Sequence, residues 1–166
     1  MIRTAFIALA ATLLSPTLVM AQPACTSITV TGHPSYPPIS EAKDDTLVGA
    51  APKLFAAVAK RVGVKNVNVK NYGSWDKAQA ATRGGEADAI FGIYKNDERA
   101  EWLDYVEPPF MMDPVSIIVR KGDGFPFADW ADLKGRKGVT NIGESFGESF
   151  DAFMAASLTV ARAEGV

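Results

Sequence analysis

One cysteine and one histidine are all that 166 residues supply of the side chains that most often hold transition metals or drive nucleophilic catalysis. With Cys25 and His33 alone, no zinc site of His and Cys ligands can be built, and a Ser-His-Asp triad would have to use the sole imidazole. An excess of positive charge is also lacking, since 17 Lys and Arg face 19 Asp and Glu for a formal −2. That weakly acidic balance argues against nucleic acid, whose phosphates attract clustered Lys and Arg. Beyond the N-terminus no apolar run is long enough to span a bilayer. At 48% hydrophobic the chain has enough apolar residues for a core of ordinary domain size.

The first residues, MIRTAFIALAATLLSPTLVMA, combine Arg3, an apolar run from Ala5 to Leu14, a break at Pro16 and the small pair Val19 and Ala21. This is the pattern of a Sec-type signal peptide, residues 1–21, cleaved after Ala21. A membrane anchor would need about 20 apolar residues without a break. Removing residues 1–21 takes away Arg3 and moves the formal charge from −2 to −3. The mature chain is expected outside the cytoplasm, in the periplasm. There Cys25 is an odd thiol with three readings: a lost disulfide partner, a lipid anchor, or an inert leftover. Gln22, Pro23 and Ala24 lack the aliphatic residue a lipidation signal requires, so the lost partner is preferred.

The stretch from Gly84 to Phe110, GGEADAIFGIYKNDERAEWLDYVEPPF, organises the rest. A Gly-Gly turn feeds the apolar run Ala87 to Tyr94, short enough for a buried strand. Asn96 then supplies an N-cap oxygen, Asp97 and Glu98 place negative charge at a helix start, and Arg99 closes the first turn. Gly92 permits close approach of a ligand to the strand end, and Arg99 offers a planar fork of donors to a carboxylate. A strand, a loop and a helix start of this kind outline a small-anion site.

The pattern Gly-x-x-Asp-Ala-Ile, apolar run, capping residue, two positions and Arg, then an aromatic and Pro-Pro-Phe, resembles the extracytoplasmic solute-binding proteins of bacterial amino-acid ABC transporters. The resemblance implies an α/β chain of the periplasmic-binding-protein-like type II fold, two lobes each built on a mixed sheet. It implies that Arg99 grips the ligand's α-carboxylate and that Gly92 and Tyr94, at the strand end, bond the ligand. Two departures stand out: the usual capping threonine is Asn96, and the loop between Gly92 and Arg99 is short.

Taken in order, Ser27 to Thr31 alternates as a short strand, and HPSYPPIS follows as a loop too rich in proline for helix or ladder. In the resemblance the ring of Tyr36 packs over the ligand's side chain; a staple under the loop is the alternative. His33 stands where relatives that bind cationic amino acids often carry an acid, which disfavours a cationic ligand, although a lone histidine also reads as a turn residue. Pro52 and Gly63 bound a helix with Leu54, Phe55, Val58, Ala59 and Val62 on a core face. Val64 to Lys70 reads as a half-buried strand. Ser74 caps the next helix, and Trp75 at its entry matches the aromatic facing Tyr36 across the ligand, or else forms a hydrophobic staple. Trp102 and Tyr105 read as core. Val115 to Arg120 reads as a strand, with the crossing between lobes placed between Met112 and Val119.

Lobe 1 is thus assigned to residues 22–113 and lobe 2 to residues 114–166. Lobe 2 shows a short helix over 128–135, a strand from Lys137 to Thr140, and a turn at 142–147 into a helix carrying Phe150, Phe153 and Met154. In the family a Gly-Ser-Thr-like turn meets the carboxylate here, so Ser145 takes the threonine's place and Phe146 makes a less polar contact. Glu144 reads as a solvated loop acid, because a carboxylate there would repel the ligand's. The stretch from Ser157 to Val166 reads as helix end and linker, leaving lobe 2 and the return crossing incomplete, as expected of a C-terminally truncated chain.

The function expected is amino-acid binding for ABC-transporter uptake, with an inner-membrane ABC permease as partner, no cofactor, no catalysis and a monomeric state. A periplasmic dehydratase-like enzyme on the same scaffold and a ligand-sensing module are the alternatives. For the enzyme, His33, Glu41 and Glu144 are the loop candidates for acid or base.

Overall fold

A computed structural model describes residues 25–164, so the signal peptide assigned to residues 1–21 lies outside the described residues. Three parallel strands form the first sheet: β1 (Ser27–Gly32) lies between β5 (Asn66–Val69) and β6 (Ala89–Phe91). The middle strand is β1, so the apolar run of the organising stretch forms an edge. Helices α1 (Ala50–Arg61) and α2 (Trp75–Arg83) supply the crossovers that parallel strands require. Their small residues let the helices sit close, with Ala78 and Ala81 of α2 and Ala51 and Ala59 of α1 buried. Val30, Leu47, Ala51 and Phe91 form the buried core, with Ile39, Phe55, Val67, Val69 and Ala89 packed against it.

The proline-rich loop does enter a ladder. Ser35 and Tyr36 (β2) pair antiparallel with Glu41 and Ser40 of β3 (Ser40–Lys43), which pairs in turn with β4 (Thr46–Val48). Pro37 and Pro38 sit in the turn itself, closed by the Ile39 N–H on the Tyr36 carbonyl at 2.8 Å, and Pro34 precedes β2, so the ladder loses no donor. The turn between β3 and β4 uses Asp44 at φ 54°, a conformation that Asp tolerates better than most residues.

The face of α1 is narrower than its apolar periodicity implies. Ala51, Pro52 and Ala59 are buried, whereas Leu54, Val58 and Val62 are exposed, because the sheet edge is met by the small residues and Phe55. Trp102 and Tyr105 are half-buried rather than core.

In the C-terminal part, Trp130–Leu133 forms a 3-10 turn, followed by β7 (Lys137–Asn141), α4 (Glu148–Ser157) and β8 (Thr159–Ala163). Here β7 and β8 pair in parallel, which corrects the reading of the last stretch as helix end and linker. Thr159, Val160 and Ala161 continue the register of Lys137, Gly138 and Val139. The segment Val115 to Arg120 is not a strand. Its β-branched alternation suits a ladder, but β7 and β8 pair only with each other, and among the described residues no strand lies beside it. Val115, Ile117, Ile118 and Val119 are accordingly exposed.

Backbone geometry leaves no room for a side chain at Gly49. Gly49, ahead of α1, has φ 134°, and a Cβ there would lie 2.4 Å from the Ile39 carbonyl oxygen, a backbone atom with little room to retreat. Gly63, at φ 90°, has nothing within 4 Å of a Cβ. Gly63→Ala should therefore cost about 1 kcal/mol of strain alone, and Gly49→Ala should lose about 2 kcal/mol more, as read from urea unfolding midpoints. Equal losses for the two variants would contradict the proposed clash.

Candidate functional site

The loop after β6 and the single turn α3 (Asp97–Ala100) place Arg99. Asn96 caps α3 as its sequence suggests, its side-chain oxygen accepting the Arg99 N–H at 2.8 Å. The Arg99 side chain then turns inward until only 2% of the residue remains exposed. Its Nη1 donates to the Tyr94 carbonyl and its Nη2 to the Gly143 carbonyl, both at 2.8 Å. No carboxylate among the described residues lies within 4.0 Å of it, whereas the exposed Arg83 and Lys95 have such partners in Glu98 and Glu107. Burial lowers the guanidinium's pKa, while Tyr105, Glu144, Glu98 and Asp151 oppose that shift from further away.

Around this cation the chain gathers most of the positions singled out from sequence. The guanidinium stands 5.9 Å from the centre of the Trp75 ring, and Trp75 is 4% exposed. The imidazole of His33 lies 5.2 Å from Trp75 and 6.2 Å from Tyr36, so a histidine stands between the two aromatic rings expected to flank a ligand. Its Nδ1 accepts the Ser35 N–H at 2.9 Å, which leaves the proton on Nε2 to donate to Glu144 at 3.2 Å. Tyr36 donates its hydroxyl to a carboxylate oxygen of Asp113, and Tyr94 donates to the Asp113 carbonyl at 2.6 Å. Burial first, and then the Asp113 carboxylate, pushes both tyrosines above their ordinary range, so the hydroxyls remain protonated donors.

The turn between β7 and α4 closes the site from the other side. Ser145, 4% exposed, accepts the Asn96 amide N–H at 3.0 Å and bonds the Asp151 carboxylate. The Gly143 carbonyl takes Trp75 Nε1 and Gln79 Nε2, each at 3.1 Å, in addition to Arg99. Gly92 sits at φ 69° in the loop, with Ile39 3.7 Å from where a Cβ would be. Phe146 is placed apart: its ring lies edge-on to Phe150 at 6.0 Å and lines a cavity of about 590 Å³ with Val115, Ile117, Phe125 and Trp130.

Four further residues belong to the site. Glu144 is no solvated loop acid; its side chain is 22% exposed and held by His33. Asp113 and Gln79 gave no periodic or motif signal, and their roles follow only from the way the chain folds back. Asn96 was legible as a cap, but its second bond, to Ser145, joins segments 49 residues apart.

This arrangement, parallel strands whose carboxyl ends face a turn contributed by a later βαβ unit, defines an α/β ligand-binding scaffold. The chain belongs to family 3 of the bacterial extracellular solute-binding proteins, whose model matches residues 28–162. Among solved structures it resembles holo ArgBP from T. maritima, with 22% identity over 84% of this chain and 60% of that one and a TM-score of 0.60. The ancestral amino acid-binding protein AncCDT-1, described as a precursor of cyclohexadienyl dehydratase, matches at 22% identity over 84% of this chain and 62% of its own, with a TM-score of 0.66. An ancestral arginine-binding protein bound to glutamine matches at 22% over 84% and 61%, with a TM-score of 0.57. These likenesses establish the periplasmic-binding-protein-like type II fold, and the chain spans about three-fifths of the length of each of these proteins. No curated protein matches the chain.

Because Asn96 both caps α3 and holds Ser145, Asn96→Ala should lower stability by about 1–2 kcal/mol in urea unfolding. Asn96→Asp, which keeps the cap oxygen and loses only the amide donor, should cost less. Equal destabilisation by the two variants would contradict the importance of the cap.

Proposed function

We propose that the chain is a receptor for an amino acid or a similar small carboxylate, serving ABC-transporter uptake. One observation carries this reading: a buried guanidinium whose η nitrogens meet only neutral carbonyls among the described residues. Withdrawing a cation from water costs several kcal/mol, and peptide carbonyls orient the charge without neutralising it. A ligand carboxylate supplies the missing anion, in a bidentate pair that can contribute to an affinity on the order of −8 kcal/mol. Family membership and the amino acids named for the solved relatives support the reading.

In this account Arg99 binds the carboxylate, Ser145 approaches it from the opposite side, and Tyr36, His33 and Trp75 contact the remainder of the ligand. Gly92 and Tyr94 line the strand end, and Phe146 joins when the ligand reaches the aromatic group beside it. Residues 22–113 form one lobe and 114–166 belong to the second, and closure about the crossing presents the bound form to an inner-membrane permease. Residues 1–21 direct export to the periplasm and are removed there.

A second reading, dehydratase-like catalysis, is favoured by the His33–Glu144 pair, an imidazole and a carboxylate inside the site. Both imidazole nitrogens are already engaged, which leaves the free oxygen of Glu144 as the group for proton transfer. Turnover of a prephenate-like acid, abolished in Glu144→Gln, would promote it over binding alone.

The receptor reading predicts that at least one proteinogenic L-amino acid raises the melting temperature. At about 100 times its Kd the ligand adds about 2.7 kcal/mol, a rise on the order of 10 °C. Arg99→Met should remove that rise while retaining a cooperative transition. A panel in which no amino acid shifts the wild type, or in which Arg99→Met responds equally, would contradict it.

A further inference from the structure

Three donors converge on one oxygen atom in this site, and that oxygen is an ill-suited acceptor for them. Trp75 Nε1 and Gln79 Nε2 project from neighbouring turns of one face of α2, each reaching the Gly143 carbonyl at 3.1 Å, while Arg99 Nη2 reaches it at 2.8 Å. A peptide carbonyl has two lone pairs and no net charge, so the third donor must share. A carboxylate presents about four lone-pair sites on two oxygens and a full negative charge. The donor set therefore fits a carboxylate better than the group it holds.

Gly143 occupies this place because it has no side chain. Its φ is 81°, and a Cβ would meet Gln79 Nε2 at 2.7 Å and Trp75 Cδ1 at 3.6 Å. The turn that carries it is pinned to the N-terminal part by bonds unrelated to the carbonyl, Asn96 to Ser145 and the Asp97 N–H to Glu148. The carbonyl is thus delivered to the cation by the closed arrangement itself.

We propose that the point held by the Gly143 carbonyl is a carboxylate-oxygen subsite in which Trp75 Nε1 and Gln79 Nε2 join Arg99, with the carbonyl as a built-in occupant that a ligand displaces. The inference rests on the receptor reading and adds two donors to it. Trp75 acts here through its indole N–H, since its ring already packs against His33 and Arg99. Gln79 acts as a neutral donor that recognises carboxylate without adding charge. Competition from the carbonyl scales the apparent affinity by the fraction of molecules in which the turn is unseated.

The test follows the Trp75 indole and Gln79 side-chain amide resonances in ¹H–¹⁵N spectra of the full chain. It is titrated with the proteinogenic L-amino acids and, for each that binds, with its decarboxylated amine. Both resonances should move with the amino acid and stay fixed with the amine. Gln79→Leu should weaken binding about tenfold, the equivalent of one hydrogen bond to a charged group. If Arg99→Met abolishes binding while Gln79→Leu binds like the wild type and neither resonance moves, this subsite is overturned and the receptor reading stands. If no amino acid moves any resonance, both fall.

Discussion

A positive charge taken out of water without an anion beside it is the constraint on which the site depends. The cost of burying a guanidinium is several kcal/mol, and the surrounding backbone meets it only in part. The Tyr94 carbonyl takes one η nitrogen, the Gly143 carbonyl the other, and the Asn96 cap fixes the helix turn from which the side chain departs. These contacts aim the charge. Compensation comes weakly and from a distance, from Glu144, Glu98 and Asp151. A cation buried between two parts of the scaffold, with no carboxylate within 4.0 Å among the described residues, is the feature on which the proposed binding of an external anion rests.

The two parts meeting at that charge differ in the size of their sheets. The N-terminal part has a three-stranded parallel sheet, two helices and a continuous core. The C-terminal part has a two-stranded sheet, and two strands are marginal without further packing. What joins it to the rest is a polar seam: Asn96 to Ser145, Asp97 to Glu148, His33 to Glu144, and the donors on Gly143. Apolar surface is left uncovered along Leu54 and Val58 of α1, at Val62 just after it, and along Val115 to Val119. Both stretches have the composition of buried elements, and among the described residues nothing covers them.

Much of this was legible in the residues, and the failures share a cause. Strands β1 and β5, the helices α1, α2 and α4, and the Asn96 cap follow from alternation, helical spacing and local capping chemistry, all properties of a few neighbouring residues. The errors arose where the outcome depends on a partner far along the chain. Val115 to Arg120 has strand chemistry but no strand beside it, whereas Thr159 to Ala163 becomes a strand because β7 is there to receive it. At the site, Arg99 announced itself through its cap and the motif around it. Glu144 is held in the site by His33, 111 residues away, an attraction that no neighbouring residue signals. Gln79 and Asp113 carried no local signal at all.

The most direct measurement is a crystal structure of the chain grown with a mixture of L-amino acids at saturating concentration. The account predicts density for a small molecule whose carboxylate lies within hydrogen-bond distance of the Arg99 guanidinium, between Trp75 and the turn at 143–147. Density for a ligand bound elsewhere, or an unliganded site with Arg99 paired to a carboxylate of its own chain, would contradict it.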